Sequence, residues 1–304
     1  MHQARVDQWG KAPKPAEAPE PAAPAADEVR IKVQAVGVHR VVRTRASGAH
    51  YSSGDPPHVP GMDGIGTTED GRTVYWASFD VGAMSQYINV DKRRVRELPA
   101  GIDPLQAAAI TNPAMSSWMA IKSRTSDLPA DFTALILGAT SASGRVAIPL
   151  LRVLGAKKVI GAARNESALA GLGLDATVVV QNKPEETDFS KLGEVDVVLD
   201  YVYGPLAVHL FRTFRQRAPM QYVHVGGLSG EEDISLPGAL LRSKNLTIRG
   251  SGPGAWGMQQ VAASLDDILA ALKHVPEQPV KVVQLTDVEA AWAEEGNERL
   301  VVSM

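Results

Sequence analysis

The chain of 304 residues contains no cysteine, and that one absence removes several chemistries together. Disulfides cannot form, thiolate zinc sites cannot be built, and no cysteine nucleophile is available. A surplus of positive charge is also missing: 31 Lys and Arg stand against 34 Asp and Glu, for a net charge of −3. Neither nucleic acid nor an anionic membrane is therefore expected as a partner. No apolar run approaches the roughly 18 residues that a membrane-crossing helix requires. The N-terminus, Met1-His2-Gln3-Ala4-Arg5-Val6, lacks the apolar core of a signal peptide, so the expected compartment is the cytoplasm. Six of the histidines, His2, His50, His58, His209, His224 and His274, show no ligand pair at helical or hairpin spacing.

What is present is an ordinary globular composition, 44 % hydrophobic and 21 % charged, in a chain long enough for two cores. Lys11 to Asp27 is rich in Ala, Pro and Glu and reads as an extended loop between two strands of one domain. Apolar and polar residues alternate with period two in Val29-Arg30-Ile31-Lys32-Val33-Gln34-Ala35, which marks a strand with one buried face. Further short strands are expected at Arg72 to Ala77 and at Ser85 to Val90. The pattern then changes near Asn112 to helix and strand in alternation. Strands are expected at Ala176 to Val180, Val195 to Leu199, Gln221 to Val225 and Leu246 to Arg249, with a helix at Leu206 to Phe214 among them. Such alternation implies α/β architecture with a doubly wound parallel sheet, whose ligands bind beyond the carboxyl ends of the strands at the switch point. A helix from Gln259 to Leu272 and strands at Val280 to Leu285 and Leu300 to Val302 are expected to return to the first domain.

The most informative stretch runs from Thr133 to Arg164. The apolar run Thr133-Ala134-Leu135-Ile136-Leu137 leads into Gly138, Ala139, Thr140, Ser141, Ala142, Ser143 and Gly144, and a helical stretch follows from Arg145 to Leu154. Strand, small-residue turn and helix in that order match a dinucleotide-binding βαβ unit. Small residues let the backbone approach a pyrophosphate, and free N–H groups at the helix start face its charge. The second strand, Lys158 to Ala163, ends on Arg164 and Asn165, where an NAD-specific fold places an acidic residue on the ribose 2′-hydroxyl. A cation beside an amide suits a 2′-phosphate, so the expected cofactor is NADP(H).

The order of parts resembles the medium-chain dehydrogenase/reductase superfamily, and within it the zinc-free quinone oxidoreductase branch. The resemblance covers nearly the whole chain and rests on Ala35-Val36-Gly37-Val38-His39, Pro60-Gly61-Met62-Asp63-Gly64-Ile65-Gly66, Gly138 to Gly144, and Val225-Gly226-Gly227. It implies a Rossmann domain, residues 113–255, inserted in a β-rich GroES-like catalytic domain formed by residues 1–112 and 256–304. Zinc-dependent relatives hold their metal on two cysteines and a histidine, and the matching positions here are His39, Met62 and Asn112. Only His39 of these is a usual zinc ligand, so no metal is expected. Without a Lewis acid, the resemblance points to hydride transfer into a quinone or an α,β-unsaturated carbonyl, where the protein mainly places the reacting atoms and excludes water.

The resemblance also assigns roles. Tyr51 falls where relatives place a tyrosine near the substrate carbonyl, able to bond the developing oxyanion or simply to pack at the domain edge. His39 follows a strand and either donates to the acceptor oxygen or the cofactor ribose, or is a core histidine bonded to backbone. Asp63 reads as a turn aspartate that fixes backbone N–H groups. Ser116 matches a hydroxyl near the nicotinamide or its phosphate, the alternative being a helix N-cap. Tyr201 and Val202 would flank the nicotinamide, Gly226 and Gly227 would let the chain pass beside its amide, and Asn297 would touch the cofactor from the other domain. Ser141 stands where the family has its middle glycine, and Pro149 should bend the helix. Trp256 and Met258 either line an apolar pocket or pack at a contact. Leu246-Thr247-Ile248-Arg249 is expected at the sheet edge, where similar proteins dimerise, so a homodimer is expected. Two further readings remain, a zinc-independent alcohol or ketone oxidoreductase and a non-catalytic NADPH-binding protein of the same fold.

Overall fold

A computed structural model describes residues 1–304 except 51, 79 and 295–297. The chain divides into two units, one formed by Met1–Asn112 and Leu265–Met304 and the other by Pro113–Ser264.

The first unit begins with a hairpin of β1 (His2–Arg5) and β2 (Lys14–Glu17), paired antiparallel. The Ala- and Pro-rich stretch expected to be loop throughout thus holds a short strand. Next come β3 (Glu28–Gly37), α1 (Arg40–Ala46), β4 (Asp63–Thr68), β5 (Thr73–Ala77), β6 (Tyr87–Asp91) and β7 (Val95–Glu97). Helix α2 (Pro104–Arg124) carries the chain over the boundary.

The second unit contains β8 (Thr133–Leu137), α3 (Ala142–Val153), β9 (Lys158–Ala163), α4 (Glu166–Ala170), β10 (Ala176–Val179), β11 (Val197–Asp200), α5 (Pro205–Thr213), β12 (Met220–His224), α6 (Gly238–Ser243) and β13 (Leu246–Gly250). All six strands pair in parallel, in the order β10-β9-β8-β11-β12-β13. The order reverses between β8 and β11, which fixes the switch point there. The four inner strands β8, β9, β11 and β12 place apolar side chains on both faces, as a doubly covered parallel sheet demands. One face packs Ile136, Leu199 and Val223 with Ala147, Ile148 and Leu151 of α3. The other packs Leu135, Val198 and Tyr222 with Leu206, Leu210 and Phe211 of α5. Helix α3 runs unbroken through Pro149 to Val153.

Helix α7 (Met258–Ala271) follows, and β14 (Val280–Gln284), α8 (Val288–Trp292) and β15 (Arg299–Ser303) complete the first unit. The return to the first unit falls at Leu265, inside α7. The segment before α7 is tied to the second unit by Arg124, which donates to the carbonyls of Gly250 and Ala255 at 2.8 and 3.0 Å. The sheet of the first unit runs β14-β15-β3-β4-β5-β7, with β6 also paired to β3. Its core joins Ile31, Val33, Val36, Val38, Met62, Trp76, Leu300 and Val302. The parallel Rossmann sheet and the β-rich GroES-like sheet are the expected architecture. Among the described residues no helix is long and apolar enough to cross a membrane.

Candidate functional site

In the second unit the glycine turn sits at the switch point. Gly138 adopts φ +88°, a conformation that disfavours any side chain. A Cβ on Gly144 would lie 2.3 Å from the Gly138 carbonyl oxygen, so only glycine lets the helix start this close to the strand. The N–H groups of Gly138 and Ala139 are taken by the Ala162 carbonyl, at 2.8 and 3.1 Å. Ser141 is the N-cap of α3, and its Oγ accepts the Gly144 N–H at 3.0 Å. Among the described residues, the N–H groups of Thr140, Ala142 and Ser143 have no partner, and α3 is twelve residues long. Three free donors at a helix start, with the helix dipole behind them, form an anion cradle of the kind a pyrophosphate occupies.

Residues from β11 and β12 gather beside this turn. A Cβ on Gly138 would meet Val202 Cγ2 at 3.1 Å. The N–H groups of Val225 and Gly226 bond the Asp200 carbonyl at 2.7 and 3.1 Å, and Leu228 N–H bonds the Tyr201 carbonyl at 2.9 Å. Val202, Gly226 and Gly227 therefore border one spot at the carboxyl ends of the strands. Tyr201 turns the other way. Its phenol is buried and meets Ser117 Oγ at 2.8 Å, while Ser117 donates to the Pro113 carbonyl at 3.0 Å. Burial, partly offset by the Ser117 and Ser116 hydroxyls, leaves the phenol raised to about 12. Any contact from Tyr201 to a ligand must come from its backbone. Ser116 lies within α2, not at its start, and its hydroxyl donates to the Pro113 carbonyl at 3.3 Å.

Arg164, exposed after β9, has no hydrogen bond or ion pair among the described residues. Asn165 caps α4: its Oδ1 accepts from Ala168 N–H at 3.0 Å and from Ser167 Oγ at 2.8 Å. The amide NH2 of Asn165 stays available as a donor.

Sequence reasoning missed Asp200. This buried carboxylate accepts the N–H groups of Val202 and Tyr203 at 2.7 and 3.0 Å and the Tyr222 hydroxyl. Burial raises its pKa, and the bonds from Tyr222, Tyr203 and Val202 counter that rise. Asp200 thereby holds a turn in which Tyr203 takes φ +64°, an unfavourable value for a side-chain-bearing residue. The Tyr203 ring stacks on His224 with centroids 4.1 Å apart. An acidic residue ending the apolar run Val197-Val198-Leu199 was the available signal.

In the first unit, alternation along three neighbouring strands collects a second polar group. Val36, Val38, Met62 and Trp76 point into the core, so Gly37, His39, Asp63 and Tyr75 belong to the opposite face. His39 is 4 % exposed and Asp63 1 %, and His39 Nε2 lies 3.4 Å from Asp63 Oδ1. Tyr75 donates to Asp63 Oδ2 at 2.9 Å. Burial and the Asp63 charge hold the Tyr75 phenol well above its usual range, so it remains a donor. Asp63 is thus no turn aspartate fixing backbone N–H groups: it opens β4 and faces two side chains. Nor is His39 bonded to backbone through its ring, since neither ring nitrogen has a hydrogen-bond partner. Met62, on the core side of the sheet, cannot join His39 in a ligand set. Tyr51 and Asn297 lie outside the described residues.

No protein-family model matches the chain. A relative from Emericella nidulans, described as "Probable NADPH-dependent quinone reductase tdiC", is 32 % identical over 97 % of this chain and 97 % of its own. Human quinone oxidoreductase is 27 % identical over 58 % of this chain and 54 % of its own. Among solved structures, quinone oxidoreductase from Thermus thermophilus superposes with a TM-score of 0.79 at 23 % identity, covering 100 % of both chains. An oxidoreductase fold with a nucleotide-binding Rossmann unit is the class these matches define. The chain belongs to the medium-chain dehydrogenase/reductase superfamily, in its zinc-independent quinone-oxidoreductase-like branch.

Proposed function

We propose that the chain is an NADPH-dependent reductase that passes hydride to a quinone or an α,β-unsaturated carbonyl without a metal. The observation that carries this reading is the cradle at the start of α3, where the N–H groups of Thr140, Ala142 and Ser143 stand free beside the Gly138 turn. A pyrophosphate satisfies all three donors at once. The exposed, unpaired guanidinium of Arg164 and the free amide NH2 of Asn165 suit a 2′-phosphate. The name of the Emericella nidulans relative supports the same cofactor and acceptor class.

Bound NADPH supplies the hydride. The chain's own residues do the rest: Gly138 to Gly144 hold the pyrophosphate, and Val202, Gly226, Gly227 and the Tyr201 backbone border the nicotinamide. Ser116 and Asn297 are further cofactor contacts in this reading. Tyr51 and His39 supply hydrogen bonds or a proton to the acceptor oxygen, the step at which charge gathers. An electron-poor acceptor needs little more activation than that, so the rate comes mainly from placement. Two copies pairing along β13 form the working unit.

Following NADPH absorbance with a panel of quinones and enones tests the proposal. Consumption with at least one member of either class supports it. Tight NADPH binding with no turnover on any member rejects it in favour of a non-catalytic nucleotide-binding protein, and turnover only with simple ketones rejects the acceptor class.

A further inference from the structure

Arg145 closes the first turn of α3 with its guanidinium only partly used. Its Nε donates to the Thr140 carbonyl at 3.0 Å, which ties the side chain to the turn after β8. Among the described residues neither Nη group has a hydrogen bond or an ion pair, and both reach solvent. No side chain from Gly138 to Gly144 carries charge, so Arg145 brings a cation to a turn that has none of its own. The helix shows which way the arginine faces. Arg152 lies seven residues on, two turns along the same stripe of α3, and donates to the Gly173 carbonyl and to Asp175 at 3.1 and 3.0 Å. Asp175 in turn accepts the Val159 N–H at 2.7 Å, so that stripe runs beside β9, starting at its first residues. Going back seven residues moves about 10 Å along the helix axis, which equals about three residues of a strand. Arg145 therefore stands about level with Ala162, whose carbonyl accepts the Gly138 and Ala139 N–H groups at 2.8 and 3.1 Å. Arg164 follows two residues later, exposed and also without a partner among the described residues. Two unpaired guanidinium groups thus border one crevice of the second unit.

We propose that Arg145 is a second cation for the adenosine 2′-phosphate, gripping it from the α3 side while Arg164 meets it from the end of β9. This rests on reading the cofactor as NADPH. A phosphate monoester carries a charge of about −1.5 to −2 near pH 7, so one guanidinium leaves part of it uncompensated. Two arginines at one crevice repel each other, and a dianion between them replaces that repulsion with two attractive contacts. The Thr140 tether uses Nε and leaves both Nη groups to approach phosphate oxygens, so less side-chain freedom is lost on binding. The ribose hydroxyl of NADH offers neither arginine a charge, and the pyrophosphate has its own donors in Thr140, Ala142 and Ser143. Arg145 is accordingly a specificity residue: it strengthens NADPH binding and leaves NADH nearly as it is.

Isothermal titration of the full chain with both cofactors tests this. Arg145→Gln removes the charge and keeps an amide able to reach the Thr140 carbonyl. It should weaken NADPH about fivefold or more while NADH moves less than about twofold, and Arg145→Lys should recover part of the loss. Combined with Arg164→Ala, it should abolish the preference for NADPH. Adenosine 2′,5′-bisphosphate should weaken in step with NADPH, and 5′-AMP should not change, which separates the 2′-phosphate from the rest of the nucleotide. The urea unfolding midpoint of Arg145→Gln should stay near that of the unmodified protein. If Arg145→Gln does not fold, Arg145→Lys carries the test alone: without the fork geometry, NADPH affinity should fall about twofold to threefold with NADH unmoved. Equal weakening of both cofactors would overturn the assignment, since Arg145 would then serve the pyrophosphate or merely hold the Thr140 turn. An unchanged preference in Arg145→Gln would overturn it too, and would leave the reading of Arg164 and NADPH standing. Equal affinity of the unmodified protein for the two cofactors would overturn both together, by removing the 2′-phosphate site itself.

Discussion

Ser141 Oγ accepts the Gly144 N–H at 3.0 Å, so the residue standing at the family's middle glycine serves as the cap of α3. The hydroxyl satisfies the one early N–H that the cradle does not use, and it leaves Thr140, Ala142 and Ser143 open. Ser141→Ala should therefore cost about 0.5–2 kcal/mol of stability, and Ser141→Gly only a few tenths. NADPH affinity should change less than threefold in the glycine variant. Urea titration and a binding isotherm check both. A tenfold loss of affinity in Ser141→Gly would mean that the hydroxyl bonds phosphate directly.

The contact of Tyr201 with Ser117 predicts an alkaline limb. The Tyr201 phenol is held at about 12, above the usual tyrosine value near 10, by burial. A raised folded value favours the neutral form in the native state. Its stabilisation is thus fully present below about pH 10 and is lost as pH climbs toward 12, in all by about 2–3 kcal/mol. Tyr201→Phe should lose about 1 kcal/mol at neutral pH with the hydrogen bond, and its stability should fall less steeply above pH 10. Parallel stability curves for the two proteins between pH 9 and 11 would contradict this.

Much of the second unit was legible because its signals are local. The run Thr133 to Leu137, the small residues after it and the alternation beyond need no distant partner to be read. The polar group of the first unit was hidden for a specific reason. Strict period-two reading of β3 puts His39 on the core side with Ile31 and Val33, but the ladder with β4 shifts register between Val33 and Ala35. That irregularity exchanges the faces, so Val36 and Val38 enter the core and His39 turns to Asp63. Tyr75 joins them only through the pairing of β4 with β5, in which Ile65 lies opposite Tyr75. The meeting of Asp200 with Tyr222 was equally illegible, since it depends on which parallel strand follows which.

Chelation should leave fold and activity unchanged. His39 and Met62 occupy opposite faces of the sheet, and an asparagine at 112 adds only an amide to the set. Elemental analysis after dialysis should find less than one zinc per ten chains. Stoichiometric zinc together with activity lost on chelation would show that other ligands have been overlooked.

The strand β13 ends the parallel sheet with one side unpaired among the described residues, and Ile248 on it is 37 % exposed. An apolar edge of this sort is usually covered by another strand. Sedimentation at micromolar concentration should find a dimer, and Ile248→Lys should move it at least tenfold toward monomer. A unit that is monomeric throughout would leave the edge to be protected by some other means.

Arg164 decides between the two nicotinamide cofactors. Its guanidinium is exposed at the end of β9 with no competing partner, while Asn165 keeps its NH2 free because the capping role uses only Oδ1. A charge-assisted contact to a 2′-phosphate should make NADPH bind at least tenfold more tightly than NADH, a difference of about 1.4 kcal/mol. Arg164→Ala should erase most of that gap by weakening NADPH and leaving NADH nearly unchanged, since the ribose hydroxyl offers the arginine little. Arg164→Lys should retain part of it, because a point charge attracts the phosphate without the two-pronged geometry. Isothermal titration of the three proteins with both cofactors measures all of this. Equal affinities in the unmodified protein would show that the charge at the end of β9 does not meet a phosphate.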